Sequence, residues 1–264
     1  MRVIILGSGS SGNALYLESG ETSVLVDAGL SARETARRMV DAGIDPARLT
    51  AIVVTHEHSD HIKGVRVLSK TAEVPIFVSE ATRSELHFPA GGRDVVWGEV
   101  ISSSHPFQIG SLDFHPFTIP HDGVDTFAFT VESSGVKIAI VTDLGYITQL
   151  VAERVRGSDL VVMESNHDRD MLKVGPYPWP LKQRIASNTG HLSNDETARW
   201  IRDDFDGRAA FIVLAHLSSK CNHPELARLS ALQALDSRGA LFYPEAERRV
   251  KIASQDHATE WFEF

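Results

Sequence analysis

Val53-Val54-Thr55-His56-Glu57-His58-Ser59-Asp60-His61 is the stretch that decides how this 264-residue chain is read. The apolar run Ala51 to Val54 predicts a buried strand, and a polar cluster hangs from its C-terminal end. Residues two apart in extended backbone point the same way, so His56, His58 and Asp60 converge, and His61 stands beside them at the start of a helix expected over Ile62 to Lys70. Imidazole nitrogen and carboxylate oxygen are ligands for zinc and similar ions. A cluster with more ligand groups than one tetrahedral ion takes points to two divalent cations. The plainer alternative is a polar surface cluster in which Ser59 or Asp60 caps the helix. Four ligand-type side chains at this spacing, directly after an apolar strand, argue against it.

Upstream, Val3 to Leu6, Ala14 to Leu17 and Ser23 to Val26 read as an opening meander of strands. The loop Gly7-Ser8-Gly9-Ser10-Ser11-Gly12-Asn13 matches a dinucleotide fingerprint in letters only: Ala14 to Leu17 reads as strand, whereas a phosphate-binding loop must open a helix. It is expected to be a tight turn near the site. Ser31, with Glu34 three residues on, predicts a capped helix ending before Gly43. Downstream come a strand at Ile76 to Val78, a helix near Glu80 to Leu86, and strands at Phe107 to Ile109, Leu112 to Phe117, Phe127 to Val131 and Lys137 to Val141. Helices then alternate with strands: a helix from Ile147 to Val155, a strand Leu160 to Met163, a helix Asn194 to Phe205, a strand Ala209 to Leu214 and a helix from about Asn222 to Leu235. This order predicts an α/β fold of buried sheets covered by helices. With no linker rich in Pro, Gly and Ser, residues 1–264 read as a single domain.

Composition sets outer limits. The apolar runs fall far short of the roughly 20 residues a bilayer helix needs, and the N-terminal one is too short for a signal peptide. No membrane partner is expected, and a cytoplasmic location is. Cys221 is the single cysteine, so no internal disulfide framework exists. Twelve histidines and a net charge of −9 pull in different directions, since clustered histidines suggest metal while the acidic balance opposes binding a polyanion.

The run His56-x-His58-x-Asp60-His61 after an apolar strand resembles the metallo-β-lactamase superfamily, and companion pieces follow in the family's order: Asp27 in Val26-Asp27-Ala28-Gly29, His121 in Pro120-His121-Asp122, Asp143 in Thr142-Asp143, and His216 in Ala215-His216-Leu217. The resemblance implies a four-layer αββα sandwich. It implies that His56, His58 and His121 hold one divalent cation, that Asp60, His61 and His216 hold the other, and that Asp143 bridges them. Asp60 would also serve the reaction, and Asp27 would fix the tautomer of a ligand histidine. Taken alone, a single histidine at a strand end is more often structural, and an aspartate there more often starts a turn. The second ligand is His58 rather than Glu, which separates the chain from the di-iron flavoprotein branch. A bridging Asp143 points to phosphodiesterases, thioesterases or lactonases.

The segments Met163-Glu164-Ser165-Asn166-His167-Asp168, Gly175 to Lys182 and Gly190-His191-Leu192-Ser193-Asn194 resemble the YycJ (WalJ) group of the superfamily, 5′ to 3′ DNA exonucleases, and the His191 piece is similar to tRNase Z enzymes. That resemblance implies a DNA-end substrate, a catalytic His191, and Asn166, His167 and Ser193 at the substrate; Lys182 and Arg184 either face solvent or meet its phosphates. His191 can equally be a loop residue before a helix capped at Ser193, and Trp179, among prolines, is expected to pack on the body of the protein. The ligand set carries two carboxylates against two M²⁺ ions, leaving a cationic site that attracts a phosphodiester despite the acidic surface. Zinc, manganese and iron all suit the donor set. Three classes stay open: a nuclease or other phosphodiesterase, a hydrolase of lactones, thioesters, β-lactams or cyclic phosphodiesters, and a non-catalytic metal-binding module. Complete ligand positions disfavour the last.

Overall fold

The computed structural model describes residues 1–88, 95–103, 105–239 and 241–264. The chain opens with the antiparallel meander β1 (Arg2–Gly7), β2 (Ala14–Ser19) and β3 (Thr22–Val26), at the runs expected from sequence. Helix α1 (Ala32–Asp41) follows, with the Ser31 hydroxyl accepting the Glu34 N–H. The Glu34 carboxylate turns to Arg37 and Arg38. Next come β4 (Ala51–Val53), α2 (Ser59–Ile62), α3 (Val65–Ala72), β5 (Ile76–Val78), α4 (Glu80–Glu85) and β6 (Trp97–Val100), with β3 to β6 pairing in parallel.

The helix expected from Ile62 to Lys70 is thus two pieces, parted at Gly64. A side chain there would stand 2.5 Å from the Leu30 carbonyl oxygen, and the Gly64 N–H donates to Ala28 O at 2.7 Å. The break draws α2, and with it His61, down onto the loop after β3.

A second meander, β7 (Phe107–Ile109), β8 (Leu112–Thr118), β9 (Phe127–Ser133) and β10 (Val136–Val141), is antiparallel. Then α5 (Gln149–Val155), β11 (Leu160–Glu164), α6 (Arg169–Val174), α7 (Trp179–Ile185), α8 (Asn194–Asp203), β12 (Phe211–Ala215), α9 (Pro224–Asp236), α10 (Ala246–Arg249), β13 (Val250–Ile252) and β14 (Phe262–Glu263) complete the chain. The strands form two sheets, β14-β1-β2-β3-β4-β5-β6 and β13-β12-β11-β10-β9-β8-β7.

Strand alternation builds the layers. Val3, Ile5 and Val53 of the first sheet pack on Phe114, Phe129 and Val213 of the second. The opposite faces carry helices: Met39 and Leu68 cover Ile4 and Ile52, while Val151, Trp200 and Ala231 cover Val141 and Leu214. Both sheets are therefore buried on both sides, giving the αββα sandwich and explaining runs such as Val3 to Leu6 that are apolar throughout. Truncating Phe114 or Phe129 to Ala would cost about 3–5 kcal/mol. Among the described residues no helix is long and apolar enough to cross a membrane.

Helices α6 and α7 escape the sequence reading because they are short and flanked by proline. Pro180 sits in the first turn of α7, where its missing N–H breaks no helical bond. β8, β10, β11 and β12 all end at one edge of their sheet, and β3 and β4 end at the same side of theirs. The loops at that edge meet.

Candidate metal and catalytic centre

From the first sheet, the loop after β4 delivers His56, His58, Asp60 and His61. It is held by Asp27, whose carboxylate accepts the Thr55 N–H at 2.8 Å and the Thr55 hydroxyl at 2.9 Å. Asp27 Oδ2 also lies 2.7 Å from His61 Nδ1, which leaves Nε2 to face the cluster. Gly29 permits this packing, because a side chain there would overlap the Asp60 carbonyl at 1.5 Å. The Gly7 to Asn13 loop closes the flank: Asn13 Nδ2 lies 3.1 Å from His61 Nε2, and Ser8 Oγ accepts the His216 N–H at 2.8 Å.

The second sheet contributes one residue per strand end: His121 after β8, Asp143 after β10, Glu164 at the end of β11 and His216 after β12. Asp27, Asp143 and His216 have φ of 60°, 64° and 56°, the left-handed region that Asp and His tolerate better than most residues. Strain of this kind gathers where surrounding structure fixes a functional geometry.

Ligand-type atoms within 4.8 Å of one another form the sets His56/His58/His121 and Asp60/His61/His216. Asp143 joins His56 and His61, one from each set, and so stands between them, and it also groups with Glu164, His191 and His216. His121 Nε2 lies 3.2 Å from His58 Nδ1. His56 Nε2 and Asp143 Oδ2 are buried without a hydrogen-bond partner, a condition rare in folded proteins unless another group satisfies them. Orphaned imidazole and carboxylate atoms in an N/O donor cluster fit divalent cations.

The electrostatics divide the histidines: burial works against the charged form of His61 and His216, yet the carboxylates, Asp143 foremost, hold His61 well above its usual pKa and push His216 up to about 10. Burial, then the neighbouring His61, holds the His56 pKa well below its usual value, leaving a neutral imidazole, the form in which histidine can bind a metal. Burial opposes ionisation of Asp143, but His216 and His61 hold its carboxyl well below the ordinary range. Burial likewise works against Asp60, and His216 and His61 bring it down.

Glu164 is a residue that no sequence motif singles out. Its Oε1 accepts from the Nδ1–H of His216 and of His191, each at 2.8 Å, and its Oε2 accepts the N–H groups of Leu144 at 2.9 Å and Leu192 at 3.1 Å. Burial would raise its pKa, yet His191 and the hydrogen bonds hold it down to about 2. In turn, His191 is raised: burial disfavours its charged form, and Glu164 more than compensates. The available sequence signal was a lone carboxylate closing a wholly buried strand. His191 stands 21% exposed on a cleft of about 330 Å³ that also meets His58, Asp60, Asp143 and His216.

The expected substrate residues divide. Asn166 is buried, and its amide donates to the His216 carbonyl at 2.7 Å, so it steadies the loop that carries His216. Ser193 caps α8 through the Glu196 N–H and is buried. Arg184 faces the cleft, bound to Asp122. Lys182, one turn-face away, and His167 line a different cavity. Trp179 is 67% exposed rather than packed on the body, because it opens α7 at the protein surface.

A two-sheet sandwich that gathers this donor set at one edge defines a protein of the metallo-β-lactamase fold. The beta-lactamase superfamily domain matches residues 22–216, and the chain belongs to that superfamily. It is 36% identical over 235 residues to exodeoxyribonuclease YycJ of Bacillus anthracis, covering 89% of each chain. It is 37% identical over 238 residues to exodeoxyribonuclease WalJ of Streptococcus pneumoniae, covering 88% of this chain and 87% of that one. The crystal structure of the metallo-beta-lactamase fold protein YhfI from Bacillus subtilis superposes with a TM-score of 0.74 at 18% identity, over 98% of this chain and 99% of that one. At that identity the likeness speaks for the fold alone.

Proposed function

We propose that this chain is a metal-dependent phosphodiester hydrolase that degrades DNA from its 5′ end. The observation that carries the reading is His191, tied through Nδ1 to Glu164 beside the ligand cluster, with Nε2 left for substrate. An alkoxide leaves phosphorus poorly unless it is protonated, and a raised-pKa imidazole on the cleft wall is suited to that task. The relatives named exodeoxyribonucleases support DNA as the polymer. A DNA substrate in turn favours a cytoplasmic site of action.

In this reading His56, His58 and His121 hold one cation, Asp60, His61 and His216 hold the other, and Asp143 holds both, with Zn²⁺, Mn²⁺ or iron suited to the donors. Bound there, such ions supply Lewis-acid polarisation of the phosphate and an ionised water near neutral pH. The remaining work falls to the chain. Asp60, kept ionised, orients the attacking water and accepts its proton. Glu164, at Nδ1, favours the imidazolium form of His191, which gives its Nε2 proton to the leaving oxygen. Arg184, steadied by Asp122, offers a cation to the strand entering the cleft. Residues 1–264 work as one unit in this scheme, because β14 completes the sheet that β1 opens and Gln255 secures the Gly7 to Asn13 loop.

The test is a time course on 5′-end-labelled DNA with Mn²⁺ and, separately, with Zn²⁺. Early release of labelled mononucleotide is expected. Intact DNA alongside efficient cleavage of a lactone would overturn the proposal in favour of a small-molecule hydrolase.

A further inference from the structure

Helix α7 separates two cavities. Leu181, Arg184 and Ile185 line the metal cleft, whereas Trp179, Lys182, Gln183 and Ala186 line a second cavity of about 640 Å³. The latter positions follow the i, i+3, i+4, i+7 spacing of one helix face. His191 lines both spaces, so they meet at the proposed proton donor. The second volume lies within the roughly 300–1,000 Å³ typical of small-ligand sites.

Its chemistry suits a nucleotide. Trp179 is 67% exposed and Tyr146 43% exposed, two large aromatic surfaces left in water around one cavity. The cations differ in their commitments: Arg169 pairs with Asp195 and Glu196, Lys173 with Asp170, and Arg199 with Glu196. Lys182 Nζ donates to the Lys173 carbonyl at 2.6 Å, and among the described residues no carboxylate pairs with it. His167, only 3% exposed, forms part of the wall, and its Nδ1 has no hydrogen-bond partner. An orphaned ring nitrogen within the wall of a largely apolar cavity is suited to a ligand's hydroxyl or base edge once the ring turns toward it.

We infer that this cavity is the subsite for the departing nucleotide, with its base against Trp179 and Tyr146, its 5′-phosphate at Lys182, and His167 at the sugar or base edge. The inference rests on the phosphodiesterase reading. In the hydrolysis, water oxygen bonds to phosphorus as the P–O3′ bond breaks; O3′ keeps the electron pair and takes the His191 proton, while Asp60 takes the proton from water. Whatever is attached to O3′ must lie on the far side of His191 from the metals, where the second cavity opens. One nucleotide with a free 3′-hydroxyl is then released, and the shortened strand keeps the new 5′-phosphate. A base must leave its stack to enter, so single-stranded or frayed ends are the preferred form.

Calorimetric titration of Mn²⁺-loaded full-length protein with dTMP, and with inorganic phosphate for comparison, tests the subsite. Wild type is expected to bind dTMP at least tenfold more tightly than phosphate. Trp179→Ala should lose about tenfold in dTMP affinity, the scale of one base stacking on an aromatic ring, with Trp179→Phe retaining most of it. Lys182→Gln should weaken dTMP severalfold. Wild type should also remove a terminal nucleotide faster than a terminal abasic residue from single-stranded DNA, and Trp179→Ala should lose that preference. Unchanged dTMP affinity in both Trp179→Ala and Lys182→Gln, with DNA still degraded, overturns the subsite alone. Trp179-dependent dTMP binding by a protein that leaves DNA intact upholds the subsite and overturns the nuclease reading.

Discussion

On the first sheet, four ligand-type side chains hang from the single loop His56 to His61; on the second, His121, Asp143, Glu164 and His216 each stand alone at the end of a different strand. Each side also has a buried carboxylate that orients a ligand-type histidine. Asp27 serves His61, whereas Glu164 serves His216 and His191 together. The first side thus concentrates donors, and the second couples the donor set to the residue assigned to the reaction. Damage on the second side is therefore expected to reach chemistry as well as metal.

Asp143→Ala should produce the largest effect. It removes the group shared by both ligand sets, so elemental analysis should find at least one ion lost and assays should find nearly all activity gone. If both ions and activity survive, Asp143 does not bridge.

His191→Ala isolates chemistry from binding. Metal content should stay near wild type while turnover falls roughly 10²-fold or more, as when a general acid is lost. Loss of metal in this variant would move His191 into the ligand set and erase the contrast between the two sides.

Glu164→Gln and Asp27→Asn compare the two orienting carboxylates directly. Both should weaken metal affinity by about 10–100-fold. Only Glu164→Gln should also move the alkaline limb of the pH–rate profile. His191 must be protonated to act, and Glu164 raises its pKa, so activity is lost as pH rises through that raised value; removing the carboxylate brings the loss to lower pH. Identical profiles for the two variants would deny Glu164 its second role.

At His167 the expected effect is on acid stability. Burial holds its pKa down to about 4, against an ordinary value of 6.5. The unfolded chain then binds more protons between those values, so this contribution is complete above pH 6.5 and is lost as pH falls toward 4. Its size is on the order of 3 kcal/mol at most. In urea unfolding, His167→Gln should show a shallower acid decline than wild type across that window.

The two sides also differ in how readily sequence discloses them. Around His56 the donors are contiguous, and extended backbone alone makes them converge, so spacing was informative. Asp143 and His216 become visible only through the family's order, because their placement depends on which strands lie adjacent and on a left-handed φ that no local pattern encodes. Glu164 looked like the end of an apolar strand, and its four hydrogen bonds come from β10, α8 and β12 surroundings that are distant in sequence. Lys182 and Arg184 appeared as neighbours on a proline-rich segment. Helical geometry in α7 sends them to different cavities.

In the proposed function both sides together build a centre for two cations. Elemental analysis of full-length protein, reconstituted with Mn²⁺ or Zn²⁺ and freed of excess ion, measures this most directly. Two equivalents per chain are predicted, and a plateau at one or none would contradict it.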